Sequence, residues 1–135
     1  MKEEQHHIRD LRFSRWIRKN CPQSGWSTTD VDFVLNNYRA KRLALVEVKC
    51  RRANYGQGQE IILKMLQNML VRGVEMYPEY TFAGLWLIQF ENETPYDGRI
   101  WVDGIEVTEA QLRECMSDVV HPRDRVPMSK NESRP

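Results

Sequence analysis

The sequence predicts a mixed α/β domain: a mixed sheet flanked by helices, followed by a C-terminal β-hairpin and a short helix. Three observations carry that reading. Helical periodicity appears twice, at His7–Asn20 and from Gln59 to about Glu75, with strand-like runs between the two stretches. "TFAGLWLIQF" (81–90) is almost continuously apolar, as in a central strand covered on both faces. "RIWVDGIEV" (99–107) sets Asp103-Gly104 between two short apolar runs, the strongest short hairpin signal. At 135 residues the chain is most simply one domain, long enough to bury a core of its own.

Taken in order, the first helix aligns Ile8, Leu11, Trp16 and Ile17 in one stripe, with Arg9, Arg12, Arg15 and Lys19 on or near the other side. Pro22 and Gly25 end it. Asp30–Leu35 and Leu43–Cys50 are rich in β-formers and bounded by polar residues, so both read as strands, joined by "NNYRAKR". "ANYGQG" is a loop whose two glycines allow close backbone approach to a partner. In the second helix Ile62, Met65, Leu66, Met69 and Leu70 fall at helical spacing, the methionines as core filler. Pairing across Asp103-Gly104 puts Ile100, Val102, Ile105 and Val107 on one face. Thr108 with Gln111 forms a capping box for a last helix, in which Leu112, Cys115, Met116 and Val119 share a side. The folded domain is expected over residues 1–121; from Pro122 the chain has three prolines and no periodicity, and 122–135 is expected as a disordered tail.

Composition narrows the function classes. The longest apolar stretches fall far short of the roughly 18 residues of a membrane span. The N-terminus "MKEEQHHIRDLR" lacks the apolar core of a secretory signal, so a cytoplasmic location is expected. Cys21, Cys50 and Cys115 are widely separated and odd in number, which argues against a disulfide framework and a structural zinc site. Net charge is only +1, but residues 1–58 hold 12 Lys/Arg against 6 Asp/Glu, while residues 59–135 hold 8 against 13. A basic half on a near-neutral chain points to a polyanion-facing surface.

The chemistry concentrates in "TDVDFVL…LVEVK". Alternation puts Asp30 and Asp32 on one face of the first strand, and Glu47 and Lys49 on one face of the second. If the strands pair as a hairpin centred between Arg39 and Ala40, Asp32 sits opposite Glu47 and Asp30 opposite Lys49, and all four converge. The plain alternative is a solvated strand face with one cross-strand Asp–Lys pair, worth under about 1 kcal/mol. Two adjacent half-buried carboxylates repel, however, and a hard divalent cation removes that cost while keeping sites for water and phosphate. With the Lys49 ammonium beside it, such a group suits metal-assisted phosphodiester hydrolysis.

These residues resemble the signature of the PD-(D/E)xK nuclease superfamily: an Asp early in one strand, then Glu-x-Lys in the next. Asp32 or Asp30 matches the first acid, with Asp32 favoured by the assumed register, and Glu47-Val48-Lys49 matches the second motif. The residue before the first acid is Thr29 or Val31 rather than the family's Pro. The resemblance covers roughly residues 3–90 and implies a restriction-endonuclease-like α-β-β-β-α-β core, one strand more than the residues themselves reveal. It implies a Mg²⁺-dependent DNA endonuclease, with Mn²⁺ able to substitute, in which Asp32 and Glu47 hold the metal, the Val48 carbonyl completes the shell and Lys49 orients the water. Gln59, or less well Gln57, matches a glutamine that members carry at the start of the next helix. An acid on the first helix is also common in the family; Glu3, Glu4 and Asp10 are all available. The size and basic first helix are most similar to small resolvase-like and phage-type members.

DNA is therefore the expected partner, through phosphate contacts from Arg9, Arg12, Arg15, Arg51 and Arg52. Tyr55 either stacks on a base or sugar or packs inward. With no separate reader domain, cutting is expected to be structure-directed, weakly specific or nicking. The Trp101 face of the late hairpin either forms a homodimer surface or covers the core. The competing reading is a catalytically idle nuclease-like module that binds DNA or protein.

Overall fold

The computed structural model describes residues 6–22 and 24–125, with side chains from residue 12 onward. The elements run α1 (His6–Asn20), β1 (Phe33–Asn37), β2 (Arg42–Lys49), α2 (Gln57–Gly73), β3 (Thr81–Phe90), β4 (Ile100–Val102), β5 (Ile105–Val107) and α3 (Glu109–Asp118). The strands form one five-stranded sheet in sequence order. β2 and β3 are parallel and the other three pairs antiparallel. The parallel pair requires a crossover, which α2 supplies, so β3 becomes the middle strand as its unbroken apolar sequence predicts.

Each face of the sheet has its own core. On one, Trp86, Ile88 and Phe90 of β3 join Ala44, Val46, Ile100, Val102 and Val107, and α3 seals them with Leu112, Cys115 and Val119. On the other, Leu63 of α2 covers Leu45 and Leu85, with Leu66, Leu70, Phe82 and Tyr55 at the margins. The hairpin turn has Asp103 at φ 48° and Gly104 at φ 84°, the two successive positive values its tight turn requires. Thr108 caps α3 as expected: its Oγ1 accepts the Gln111 N–H at 3.0 Å, and Gln111 Oε1 accepts the Thr108 N–H at 2.8 Å. Within β3, two steps along β2 from Leu43 to Leu45 match three steps from Phe82 to Leu85. This is a bulge at Gly84, whose φ of +100° favours glycine.

Three expectations need correction. Two strands, not three, stand between α1 and α2; residues 21–32 and 50–56 contain no further strand apart from the undescribed position 23. β1 begins at Phe33, so Asp30 and Asp32 lie in the approach to the strand rather than in it. Of the α1 stripe, the side chains of Ile8 and Leu11 lie outside the described residues, Ile17 is half-buried, and Trp16 is 54% exposed and stacked on the exposed Phe13 at 5.9 Å between ring centroids. Periodicity shows that a helix has an apolar side but not that anything covers it. The fold also continues past Pro122: Pro122–Asp124 is a 3-10 turn, and Arg125 pairs with Glu114 and Asp118 at 3.3 and 3.1 Å. The rest of the expected tail, 126–135, lies outside the described residues. The three cysteines are free, and among the described residues no helix is long and apolar enough to cross a membrane.

Candidate functional site

The β1–β2 hairpin pairs Phe33 with Val46 and Asn37 with Arg42, which is the register centred between Arg39 and Ala40. Its turn is held by Asn37, whose Oδ1 accepts the N–H groups of Arg39 and Ala40 at 3.1 and 2.9 Å. One step beyond Phe33 the same register brings Asp32 opposite Glu47. There the strand pairing gives way to a side-chain bond, the Val48 N–H donating to Asp32 Oδ2 at 2.8 Å. Asp32 is thus tied to the backbone between Glu47 and Lys49 while staying exposed. Asp30 is exposed, lies outside the strand and makes no ion pair with Lys49, so it does not join the group as expected.

Glu47 is the centre of the arrangement. It sits mid-sheet between Val46 and Val48, on the face that α2 covers, and is only 3% exposed. Its Oε2 accepts the Gln59 amide N–H at 2.6 Å and lies 3.5 Å from Lys49 Nζ. Its Oε1 is buried without any hydrogen-bond partner. Burial pushes the carboxyl above its ordinary range and the Asp32 charge adds to the rise, against the pull of Gln59 and Lys49. A buried carboxylate oxygen left bare costs free energy, so such an atom calls for an explanation.

Gln59 also settles which helix-opening glutamine belongs to the group. Its Oε1 accepts the Gly56 N–H at 3.3 Å at the start of α2 while its amide nitrogen reaches Glu47. Gln57 is exposed at the first helical position. Two carboxylates, Asp32 and Glu47, therefore stand together with the backbone of Val48, and among the described residues no third His, Cys, Asp or Glu makes a larger metal-binding cluster. That set fits Mg²⁺, which takes one or two carboxylates and keeps waters and phosphate oxygens for the rest, better than it fits a cation needing an all-protein cage.

The expected DNA contacts fare unevenly. Arg12 and Arg15 are exposed on α1, while the side chain of Arg9 lies outside the described residues, as do Glu3, Glu4 and the side chain of Asp10. Arg51 and Arg52 follow β2 in consecutive left-handed conformations, φ 53° and 54°. Their N–H groups donate to Asn92 O and Phe90 O, both at 2.7 Å. Arg51 is ion-paired with Glu93. Tyr55 packs against the smaller core, and burial, with Asp103, Glu47 and Glu60 nearby, pushes its phenol upward. Trp101, expected on a dimer surface or over the core, is 6% exposed, with the Arg52 guanidinium 4.1 Å and the Arg99 guanidinium 5.6 Å from its ring centroid.

Sequence reasoning missed two features. His121, the last residue of the expected domain, is fully buried and bonded to Asp103. Gln89 and Trp101 share the Glu47–Lys49 face, because Lys49 pairs with Gln89 and Gln89 with Trp101. Alternation along each strand carries that signal, but only once the β2–β3–β4 pairings are known.

Compared with protein-family models, with curated proteins and with solved structures, the chain matches none.

Proposed function

We propose that this chain is a metal-dependent endodeoxyribonuclease of the PD-(D/E)xK kind, with its active site at the end of β2. The observation that carries the reading is the buried, unpartnered Oε1 of Glu47 beside the Asp32 carboxylate. A purely structural glutamate would satisfy both oxygens, and a binding surface for DNA alone gains nothing from two acids facing a polyanion. Asp32, Glu47 and the Val48 carbonyl would hold Mg²⁺ or Mn²⁺, which supplies charge neutralisation at the phosphate and lowers the pKa of a water.

The protein's own groups divide the remaining work. Gln59 fixes the Glu47 carboxylate by its Oε2 and leaves Oε1 without a protein partner. Lys49 keeps an ammonium at 3.5 Å from the same carboxylate and offers positive charge to a phosphoryl oxygen or to the attacking water. Val48 N–H anchors Asp32, so the first acid is oriented although it lies before the strand. Hydrolysis joins the water oxygen to phosphorus and breaks the bond to O3′, leaving a 5′-phosphate and a 3′-hydroxyl. The lack of a third strand before α2 leaves the likeness to the nuclease core partial, so the reading rests on the site rather than on the fold.

The test is cleavage of supercoiled, linear, single-stranded and four-way-junction DNA with Mg²⁺, Mn²⁺ or EDTA, with Glu47→Ala and Lys49→Ala alongside. Metal-dependent cleavage lost in both variants is the expected result. A folded wild-type protein that binds DNA and cuts none of these substrates in either metal would instead make it an idle binding module.

A further inference from the structure

Of the arginines that follow β2 or flank Trp101, two are neutralised. Arg51 pairs with Glu93, and Arg99 reaches both carboxylate oxygens of Glu106 at 3.1 and 3.3 Å. Among the described residues the Arg52 guanidinium makes no ion pair and no hydrogen bond, the nearby Glu106 carboxylate being taken by Arg99, yet it is held at both ends. Its backbone is pinned in a left-handed turn by the bond to Phe90 O, and the next residue by Gln89, whose amide donates to Ala53 O at 2.8 Å. Its head lies over the Trp101 indole at 4.1 Å. A non-glycine residue in the left-handed region is strained, and two in succession next to the Glu-x-Lys motif mark a place where geometry is held for a purpose.

The stack determines what can bind. A guanidinium lying on an aromatic face keeps its in-plane N–H donors open at its edge, in the fork that matches two phosphate oxygens. Trp101 cannot serve as a base-stacking platform, since it is 6% exposed beneath the two arginines. The ligand that suits an unpaired, pre-oriented fork is an oxyanion. The row Lys49–Gln89–Trp101 runs across adjacent strands about 4.8 Å apart on one face, so Arg52 stands on the same face as Lys49, about two strands along.

We infer that Arg52 is a preorganised clamp for a backbone phosphate neighbouring the scissile one, and that Trp101 is the positioning residue that holds it. The inference rests on the nuclease reading for its ligand, and assigns the direction in which the DNA backbone leaves the metal site: across β3 toward β4.

The test is binding of a fluorescein-labelled duplex in EDTA, so that nothing is cut, measured by anisotropy across a salt series. The variants are Arg52→Ala, Arg52→Lys, Trp101→Leu and Trp101→Phe, with Arg113→Ala on α3 as control and thermal melting to confirm folding. Arg52→Ala is expected to weaken binding about tenfold and to flatten the plot of log K against log salt by about 0.9, the signature of one lost phosphate contact. Arg52→Lys keeps the slope because it keeps the charge, but not the full affinity. Trp101→Leu keeps the slope and loses several-fold in affinity, and Trp101→Phe recovers most of it, a pattern that mere loss of packing would not produce. Arg52→Ala with wild-type affinity and slope overturns the clamp even in an active nuclease. Trp101 variants that fold and bind as wild type overturn the positioning role. A wild-type protein with no DNA affinity at any salt overturns the nuclease reading itself, and the clamp with it.

Discussion

His121 and Glu47 are the polar or charged side chains buried among the described residues, and they stand on opposite faces of the sheet in opposite states of satisfaction. His121 uses everything it has. A backbone N–H can only donate, so the bond from Arg123 N to Nδ1 at 3.0 Å makes that nitrogen the acceptor, and Nε2–H donates to Asp103 Oδ2 at 2.7 Å. The ring sits edge-on to Trp86 at 5.3 Å, and Asp103 Oδ1 in turn accepts the Leu87 N–H at 3.0 Å. The result ties the chain beyond α3 to the hairpin and the middle strand. Glu47 has two partners crowding one oxygen and none on the other. A structural polar group is saturated by the protein; a group kept for a ligand is left short.

The comparison breaks most visibly at Glu47. Glu47→Gln should lower the cleavage rate by more than about 100-fold while the melting temperature stays level or rises, because an amide costs less to bury than a carboxylate with a bare oxygen. Activity and stability falling together would mean that Glu47 is structural. His121→Ala should do the reverse, costing about 3 kcal/mol in urea unfolding through an unpaired Asp103 and the space beside Trp86. Cleavage per folded molecule should not change, so a rate loss beyond the folded fraction would tie His121 to the chemistry.

The finer contrast concerns what Glu47 lacks. Mg²⁺ at ten times its dissociation constant should stabilise the wild-type protein by about 1.4 kcal/mol and leave Glu47→Gln unmoved; equal shifts in both would put the metal elsewhere. The pH dependence follows from the same group. Its folded pKa is raised, so between the ordinary carboxylate value of 4.5 and that raised value the folded state holds more protons than the unfolded. Metal-free stability from this group is therefore greatest at acid pH and falls as pH rises through that window, whereas Mg²⁺ affinity rises. In differential scanning fluorimetry against pH, Glu47→Gln should lack this component, and a slope unchanged by the substitution would assign it to other groups.

Local chemistry was legible in the sequence where it acts over a few residues. Asp103-Gly104 and the Thr108/Gln111 box specify their own geometry, and "TFAGLWLIQF" matched β3 from end to end. The hairpin register was an assumption that the turn sequence does not dictate, and the pairing centred between Arg39 and Ala40 matches it at every opposite pair. The Asn37 side chain that holds the turn was hidden, since "NNYRAKR" carries no recognised two-residue signal. His121 was illegible for a different reason: its partner lies 18 residues away in a turn whose sequence was already explained. The Arg52–Trp101 stack joins residues 49 positions apart through two strand pairings, and no periodicity in a single chain encodes that.

The bulge at Gly84 acts as a phase shifter for the whole right-hand side of the sheet. Strand alternation has only two phases, and the one inserted residue exchanges them midway along β3. Before it, Phe82 faces the smaller core; after it, Leu85, Leu87 and Gln89 do, while Trp86 and Ile88 fill the larger one. Straightening the bulge into a regular ladder with Gly84 retained would send Trp86 toward Glu47 and Gln89 into an apolar interior. The strands paired beyond β3 would inherit the inversion, and Trp101 would be carried to the opposite face from Lys49. A glycine with no polar side chain, well outside the acidic motif, thus decides which residues the proposed metal site has for neighbours.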